Sequence, residues 1–255
     1  MLIDTHAHLN DHKFKNILSE VINRAQKEQV KKIIVVGWDE ASSRKAIELA
    51  HHYSFIYAAV GFHPENLKNI DDESLRRIKE LAQDEKVVAI GEIGLDYYWS
   101  KDENSRLRQR EYFVKQIHIA NEIQKPIIVH SREASLDTYN ILRENIPTYQ
   151  GVMHCYSGSK EMALQYIELG LYISLAGPVT FKNAKTPKEV AEVVPLEWLL
   201  IETDCPYLAP HPYRGQLNEC SLIPLVAKEI SAIKKLSLEE VAQQTSANAE
   251  RLFKI

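Results

Sequence analysis

Apolar residues along this chain fall into two alternating patterns. Short runs rich in β-branched residues recur eight times: MLIDTH (1–6), KKIIVVG (31–37), FIYAAVG (55–61), VVAIGEIG (87–94), KPIIVHS (125–131), GVMHCYS (151–157), LYISLAG (171–177) and WLLIETD (198–204). Between them the apolar residues take helical spacing. These segments are SEVINRAQKEQ (19–29), DEASSRKAIELAHHY (39–53), DDESLRRIKELAQDE (71–85), Asn104 to Gln124, ASLDTYNILREN (134–145), SKEMALQYIELG (159–170) and PKEVAEVV (187–194). LEEVAQQTSANAERLF (238–253) closes the chain.

Strands separated by helices pair in parallel, because each crossover needs a connection of helix length. Eight such units predict an α/β fold, a single (β/α)8 TIM-type barrel over residues 1–255 with a C-terminal helix, rather than an open sheet. No low-complexity linker or internal repeat divides it. A single barrel accounts for all 255 residues.

Composition narrows the function. With 45% hydrophobic and 26% charged residues and a net charge of −4, the chain is not built to coat nucleic acid electrostatically, so any such contact is small and local. No stretch has the run of roughly 20 apolar residues that a membrane span needs. Asp4 and two histidines interrupt the first apolar run, which excludes a signal peptide there. Three cysteines without framework spacing suit a reducing compartment. The expected location is cytoplasmic, with no membrane and no obligate protein partner.

The chemistry gathers at the strand ends. His6 and His8 are two residues apart, so an extended strand turns both to one face with Asp4, and Ile3, Thr5 and Ala7 to the other. Strand three ends with His63, strand four with Glu92, strand five with His130, strand six with His154 and strand eight with Asp204. Independent structural histidines have no reason to share this position on several strands, and a closed barrel draws those ends into one ring. His6, His8, Glu92, His130, His154 and Asp204 exceed what one catalytic ion takes from protein. They predict two divalent cations: His6, His8 and Asp204 hold the first, His130 and His154 the second, and Glu92 bridges them. Glu92 and Asp204 are the catalytic candidates, Asp204 as both ligand and proton acceptor. The mixed donor set suits Zn, Mn, Co or Ni, and Mg where water completes the shell.

IDTHAHLN, GEIGLDYYW, PIIVHSREA, HCYSGS, YISLAGPVTFKNAK and LLIETDCPYLAPHPYRG together resemble the TatD family of metal-dependent deoxyribonucleases, and the similarity extends to SANAERLF in the last helix. The resemblance implies Mg-supported hydrolysis of DNA phosphodiester bonds, typically 3′ to 5′ on single strands or fragments, so that DNA ends are the partner. It also implies the six ligands assigned above and a phosphate-side role for His63 in GFHPE. One loop departs from the family. After YRG the family carries a basic pair and then Asn-Glu-Pro, whereas this chain has Gln216, Leu217 and, for the proline, Cys220. Losing two charges there weakens or redirects phosphate contact.

Other rim residues are candidates beside plainer readings. Arg132, Lys160, Lys182, Lys185 and Arg214 are basic residues of the rim loops, where a scattered cation is ordinarily solvated surface. Tyr97, Tyr98, Trp99, Tyr156, Tyr207 and Tyr213 are aromatic, and loop packing competes with base stacking for each. His63, Arg132, Tyr156 and Arg214 are the selected substrate contacts. Cys155 and Cys205 directly follow ligands, so extended chain turns them away as small core fillers. His51, His52 and His118 fall inside helices and receive no role. Two other function classes stand beside a DNA phosphodiesterase: the same barrel cleaving a small-molecule ester, phosphoester or C–N bond, and a non-catalytic quality-control scaffold. The lack of a lysine at a strand end favours a Glu-bridged centre over the carboxylated-lysine type, and a scaffold has no need of a complete ligand ring.

Overall fold

A computed structural model describes residues 1–255. Eight strands, β1 (Leu2–Ala7), β2 (Val30–Val36), β3 (Ile56–Val60), β4 (Val87–Asp96), β5 (Ile127–Arg132), β6 (Gly151–Met153), β7 (Leu171–Leu175) and β8 (Leu199–Ile201), pair in sequence order, all in parallel. Closure between β8 and β1 runs through a bridge of Ala7 with Cys205 and the Thr5 hydroxyl, which donates to the Ile201 carbonyl at 3.0 Å. The crossover helices are α1 (Leu18–Lys27), α2 (Glu40–His52), α3 (Asp72–Leu81), α4 (Glu103–Glu122), α5 (Ser135–Glu144), α6 (Lys160–Glu168) and α7 (Lys185–Val193). α8 (Ile223–Lys234) and α9 (Leu238–Phe253) end the chain. Local chemistry sets several helix starts: Asp39, Asp71 and Ser237 each accept a third-residue amide in a capping box.

Alternation sorts the strands into two cores. In β2, Ile33 and Val35 face the helices, while Ile34 and Val36 join Ala59, Ile128, Val152, Tyr172 and Leu200 inside the barrel. α9 plugs the N-terminal end. Its Ala249, Leu252 and Phe253 enter the inner core, and Asn248 donates to the carbonyls of Leu196 and Leu199 at 2.8 Å each. The opposite, C-terminal end is left to the loops.

Two expectations need correction. Strict alternation in β1 fails: pairing shifts register between Leu2 and Ile3 and again between Asp4 and Ala7, so Ile3 joins the inner core. The sequence pattern also omits α8. Its buried Ile223, Val226, Ala227, Ile230 and Ser231 follow helical spacing, and Pro224 sits in the first turn, where no amide donor is needed.

One glycine ties the fold to the site. Gly94 in β4 stands opposite His130 at φ 136°, and a Cβ there would fall 2.0 Å from the His130 carbonyl oxygen. Any side chain would push β5 off β4 just where His130 meets Glu92.

Candidate metal centre

His6 comes from β1 and His8 directly follows it, Glu92 comes from β4 and His130 from β5, while His154 and Asp204 lie in the loops after β6 and β8. Asp204 is held with care. Its amide donates to the His6 carbonyl at 2.9 Å and the His8 amide to the Cys205 carbonyl at 2.8 Å. Its φ of 55° is left-handed, which costs a non-glycine residue roughly 1–3 kcal/mol unless its surroundings fix it. Asp4 fixes it from below, accepting the Thr203 amide at 2.9 Å and the Thr203 hydroxyl at 2.6 Å. Burial outweighs those bonds and raises the Asp4 carboxyl to about 7. Asn218 holds the other side, donating to the carbonyls of Thr203 at 2.8 Å and Tyr207 at 2.6 Å.

Glu92 stands at the middle, and its two oxygens face different groups. Oε2 lies 3.4 Å from His6 Nε2 and 3.7 Å from His8 Nε2; Oε1 lies 2.9 Å from His130 Nδ1 and 2.8 Å from His154 Nε2. Asp204 Oδ1 completes the first group at 3.5 Å from His8 and 3.9 Å from His6.

The far nitrogens of three rings decide what faces Glu92. His8 Nδ1 is 3.0 Å from the Val36 carbonyl, His130 Nε2 is 3.0 Å from Asp96, and His154 Nδ1 is 3.1 Å from Glu202. Those partners only accept, so each far nitrogen carries the proton and each near nitrogen of a neutral ring presents a lone pair to a carboxylate. Lone pairs converging in this way require a cation or extra protons between them. The spacing fits a cation: donors about 2.1 Å from a tetrahedral ion stand roughly 3.4 Å apart, and the first group spans 3.2 to 3.9 Å. His6, His8 and Glu92 form one cluster able to hold an ion.

Titration of the cation-free residues points the same way. Burial opposes charge on His154, yet Glu92 and Glu202 push it well above its ordinary value. Burial likewise opposes charge on His130, and Asp96 and Glu92 raise it nonetheless. At Glu92 burial favours the neutral acid, but His154, His63 and His130 hold the carboxyl well below the usual range. Asp204 is also lowered, burial being outweighed by His8, His154 and His6. His6 alone among the four ligand histidines is pushed down, by burial and by His154. The pocket is built to hold positive charge.

A family model described as TatD related DNase matches residues 3–254. The chain belongs to the TatD family. It is 49% identical to an uncharacterized metal-dependent hydrolase, YabD, of Bacillus subtilis, covering all of both chains. It is 39% identical to another such protein, YcfH, of Escherichia coli K12, covering all of this chain and 96% of that one. The crystal structure of YjjV, a TatD homologue from Escherichia coli K12, superposes with a TM-score of 0.94 at 31% identity, over all of this chain and 98% of that one. This TatD chain is accordingly a metal-dependent hydrolase with His/Glu clusters able to bind metal.

The TatD barrel surrounds these residues with a cavity of about 760 Å³. His63 enters it beside the carboxylate, Nε2 3.5 Å from Glu92 Oε1. Although His63, Glu92 and His130 are close enough to hold an ion, the Glu65 amide donates to His63 Nδ1 at 3.2 Å. Burial lowers the ring to about 3, so it is neutral and Nε2 carries its proton. This arrangement turns the Nε2 donor of His63 toward the cavity.

The other expected contacts divide. Arg132 lines the cavity with its guanidinium carbon 3.8 Å from the Tyr98 ring centroid. Tyr156 lines it too, but its hydroxyl is given to the Ser159 carbonyl at 2.8 Å, leaving only the ring. Arg214 is not brought into this cavity and lines a smaller one. Cys155 is not the core filler expected: it lines the cavity, because β6 ends at Met153 and φ at Cys155 is 42°. Cys205 is wholly buried, its sulfur 3.7 Å from that of Cys220.

The sequence pattern passed over Asp96 and Glu202, which orient His130 and His154, and Trp38, whose ring lies 5.3 Å from that of His8; Tyr207, one of the rim aromatics, lies 6.4 Å from the same ring. Both carboxylates carried a signal. Glu202 is two residues before Asp204 and Asp96 four after Glu92, the spacing at which extended chain repeats a face, though β8 itself ends at Ile201.

Proposed function

We propose that this TatD-family hydrolase cleaves phosphodiester bonds of DNA at the ends of single strands or fragments, as a 3′ to 5′ exodeoxyribonuclease using two divalent cations. The division of the Glu92 oxygens between His6 and His8 on one side and His130 and His154 on the other carries this reading. Mg or Mn serves turnover, and the imidazole–carboxylate donor set also accommodates Zn, Ni or Co. Divalent cations in those two places supply positive charge against phosphoryl oxygens and make water more acidic.

The remaining work falls to the side chains. Asp204, ionised and at the cavity wall, accepts the proton of the attacking water. His63 donates from Nε2 to a phosphoryl oxygen, and Arg132 offsets phosphate charge from its place over the Tyr98 ring. Glu92 keeps the two halves in register. No helix is long and apolar enough to cross a membrane. The three free thiols support a cytoplasmic setting, with DNA ends as the partner and no obligate protein subunit.

A second reading keeps the centre but takes a small phosphoester, because a cavity of about 760 Å³ also suits a compact ligand. End-labelled single-stranded DNA and a nitrophenyl phosphodiester, offered to protein of measured metal content, separate the two. Stepwise shortening of the strand supports the nuclease. Turnover of the diester with an untouched strand overturns it.

A further inference from the structure

The loops after β7 and β8 build a second cavity of about 300 Å³, lined by Phe181, Lys182, Asn183, His211 and Arg214. Its lining contains no acidic residue. Arg214 rests its guanidinium carbon 4.5 Å from the Phe181 ring centroid. Neither Arg214 nor Lys182 is paired with a carboxylate, whereas Lys185 in the next turn of chain pairs with Glu189 at 3.5 Å. Arg76 and Lys115, by contrast, are each met by two carboxylates, Glu73 and Glu80 for the one, Asp72 and Glu111 for the other. On a chain of net charge −4, two cations converge here on one hollow without an acidic neighbour in its wall.

The hollow is preformed and adjoins the metal centre. The His211 amide donates to the Thr180 hydroxyl at 2.8 Å, and that hydroxyl donates to the Gly177 carbonyl at 2.7 Å, stitching the two loops together. A Cβ on Gly177 would fall 1.9 Å from the Leu208 carbonyl oxygen, so the loops approach as closely as backbone allows. Val179 and Leu208 line the central cavity, and each lies three residues before a member of the second one, Lys182 and His211. Three residues span at most about 10–11 Å, so the two cavities are near neighbours on the rim.

The geometry points to this hollow as a second phosphate site, which takes a backbone phosphate of the same strand beside the segment held at the metal centre. The inference rests on the strand-cleaving reading above and adds to it a preference for a polynucleotide over an isolated ester. Arg214 offers a planar two-pronged donor beside the Phe181 ring, and Lys182 a point charge. Asn183 and His211 add further hydrogen-bonding groups at the same wall. A small ester spans only the central cavity and forgoes these interactions.

The test compares wild-type protein with Lys182→Gln combined with Arg214→Gln, both exposed positions whose replacement leaves the core alone. Binding of a labelled single-stranded oligonucleotide is titrated against salt with the metals chelated, and steady-state kinetics are then taken with metal on the strand and on a nitrophenyl phosphodiester. Expected are a salt slope shallower by about 0.7 for each phosphate no longer neutralised and a KM on the strand raised about tenfold. The ratio of kcat/KM for strand over diester falls by a similar factor. An unchanged salt slope, an equal loss on both substrates, or a wild type that binds no strand overturns the second site. If the variant loses strand binding while no form of the protein cleaves DNA, the phosphate site stands and the reaction assignment fails. If the wild type cleaves and the variant keeps its slope, the reverse holds.

Discussion

His154 Nδ1 lies 3.1 Å from Glu202 Oε1, and the same oxygen accepts the Cys155 amide at 2.7 Å. Glu202 is wholly buried and its Oε2 has no partner. A carboxylate in this place fixes the ring, keeps the proton on Nδ1 and makes Nε2 a stronger donor to metal. Glu202→Gln preserves shape and an acceptor oxygen but removes the charge. Metal affinity should fall about 10–100-fold, read by competition with a chromogenic chelator. Unchanged affinity would remove Glu202 from the centre.

Glu92 makes the two halves of the centre separable. Glu92→Gln should lower occupancy on both sides, because each oxygen serves a different pair of rings. His130→Ala should empty chiefly the side it shares with His154. Elemental analysis with anomalous diffraction distinguishes these patterns, and full occupancy in Glu92→Gln would rule out a bridge.

Protons compete with metal here. Burial resists charging His154 and His130, but the carboxylates around them prevail, so without metal both rings hold protons to higher pH than usual. Metal must displace those protons. Affinity should therefore rise with pH until the raised values are passed and fall as the solution is acidified, with protons released on binding. Calorimetry in buffers of different ionisation enthalpy counts them. An affinity independent of pH between mildly acid and mildly alkaline solution would contradict the histidine assignment.

The barrel and its six central side chains were legible because period-two runs mark strands and a parallel barrel brings their C-terminal ends together. His6, His8, Glu92, His130, His154 and Asp204 needed only that rule. Asp96 and Glu202 fall at an even spacing from a ligand, yet a carboxylate near a strand end carries no mark that separates a ring-orienting partner from solvated surface. Their role appears only when His130 and His154 are seen to spend their far nitrogens on them. Arg214 was grouped with Arg132 for lying in a rim loop. The loop after β8 is long enough to carry it out of the central cavity altogether.

Asp204 and His63 face the same space with opposite protonation, and mutation should separate their roles. Burial would raise Asp204, but His8, His154 and His6 keep it ionised, an acceptor at neutral pH. His63 is neutral and donates from Nε2, since its Nδ1 is taken by the Glu65 amide. Asp204→Asn retains an oxygen for metal contact but loses basicity, so kcat should fall about 10²–10⁴-fold with part of the metal and DNA binding kept. His63→Ala removes a donor without removing a ligand, so both cations should stay while strand affinity and turnover decline together. Single-turnover cleavage of a labelled strand, with metal measured on the same samples, reads both variants. Wild-type cleavage by fully loaded Asp204→Asn would transfer the proton to another acceptor, and metal loss in His63→Ala would make that ring a ligand after all.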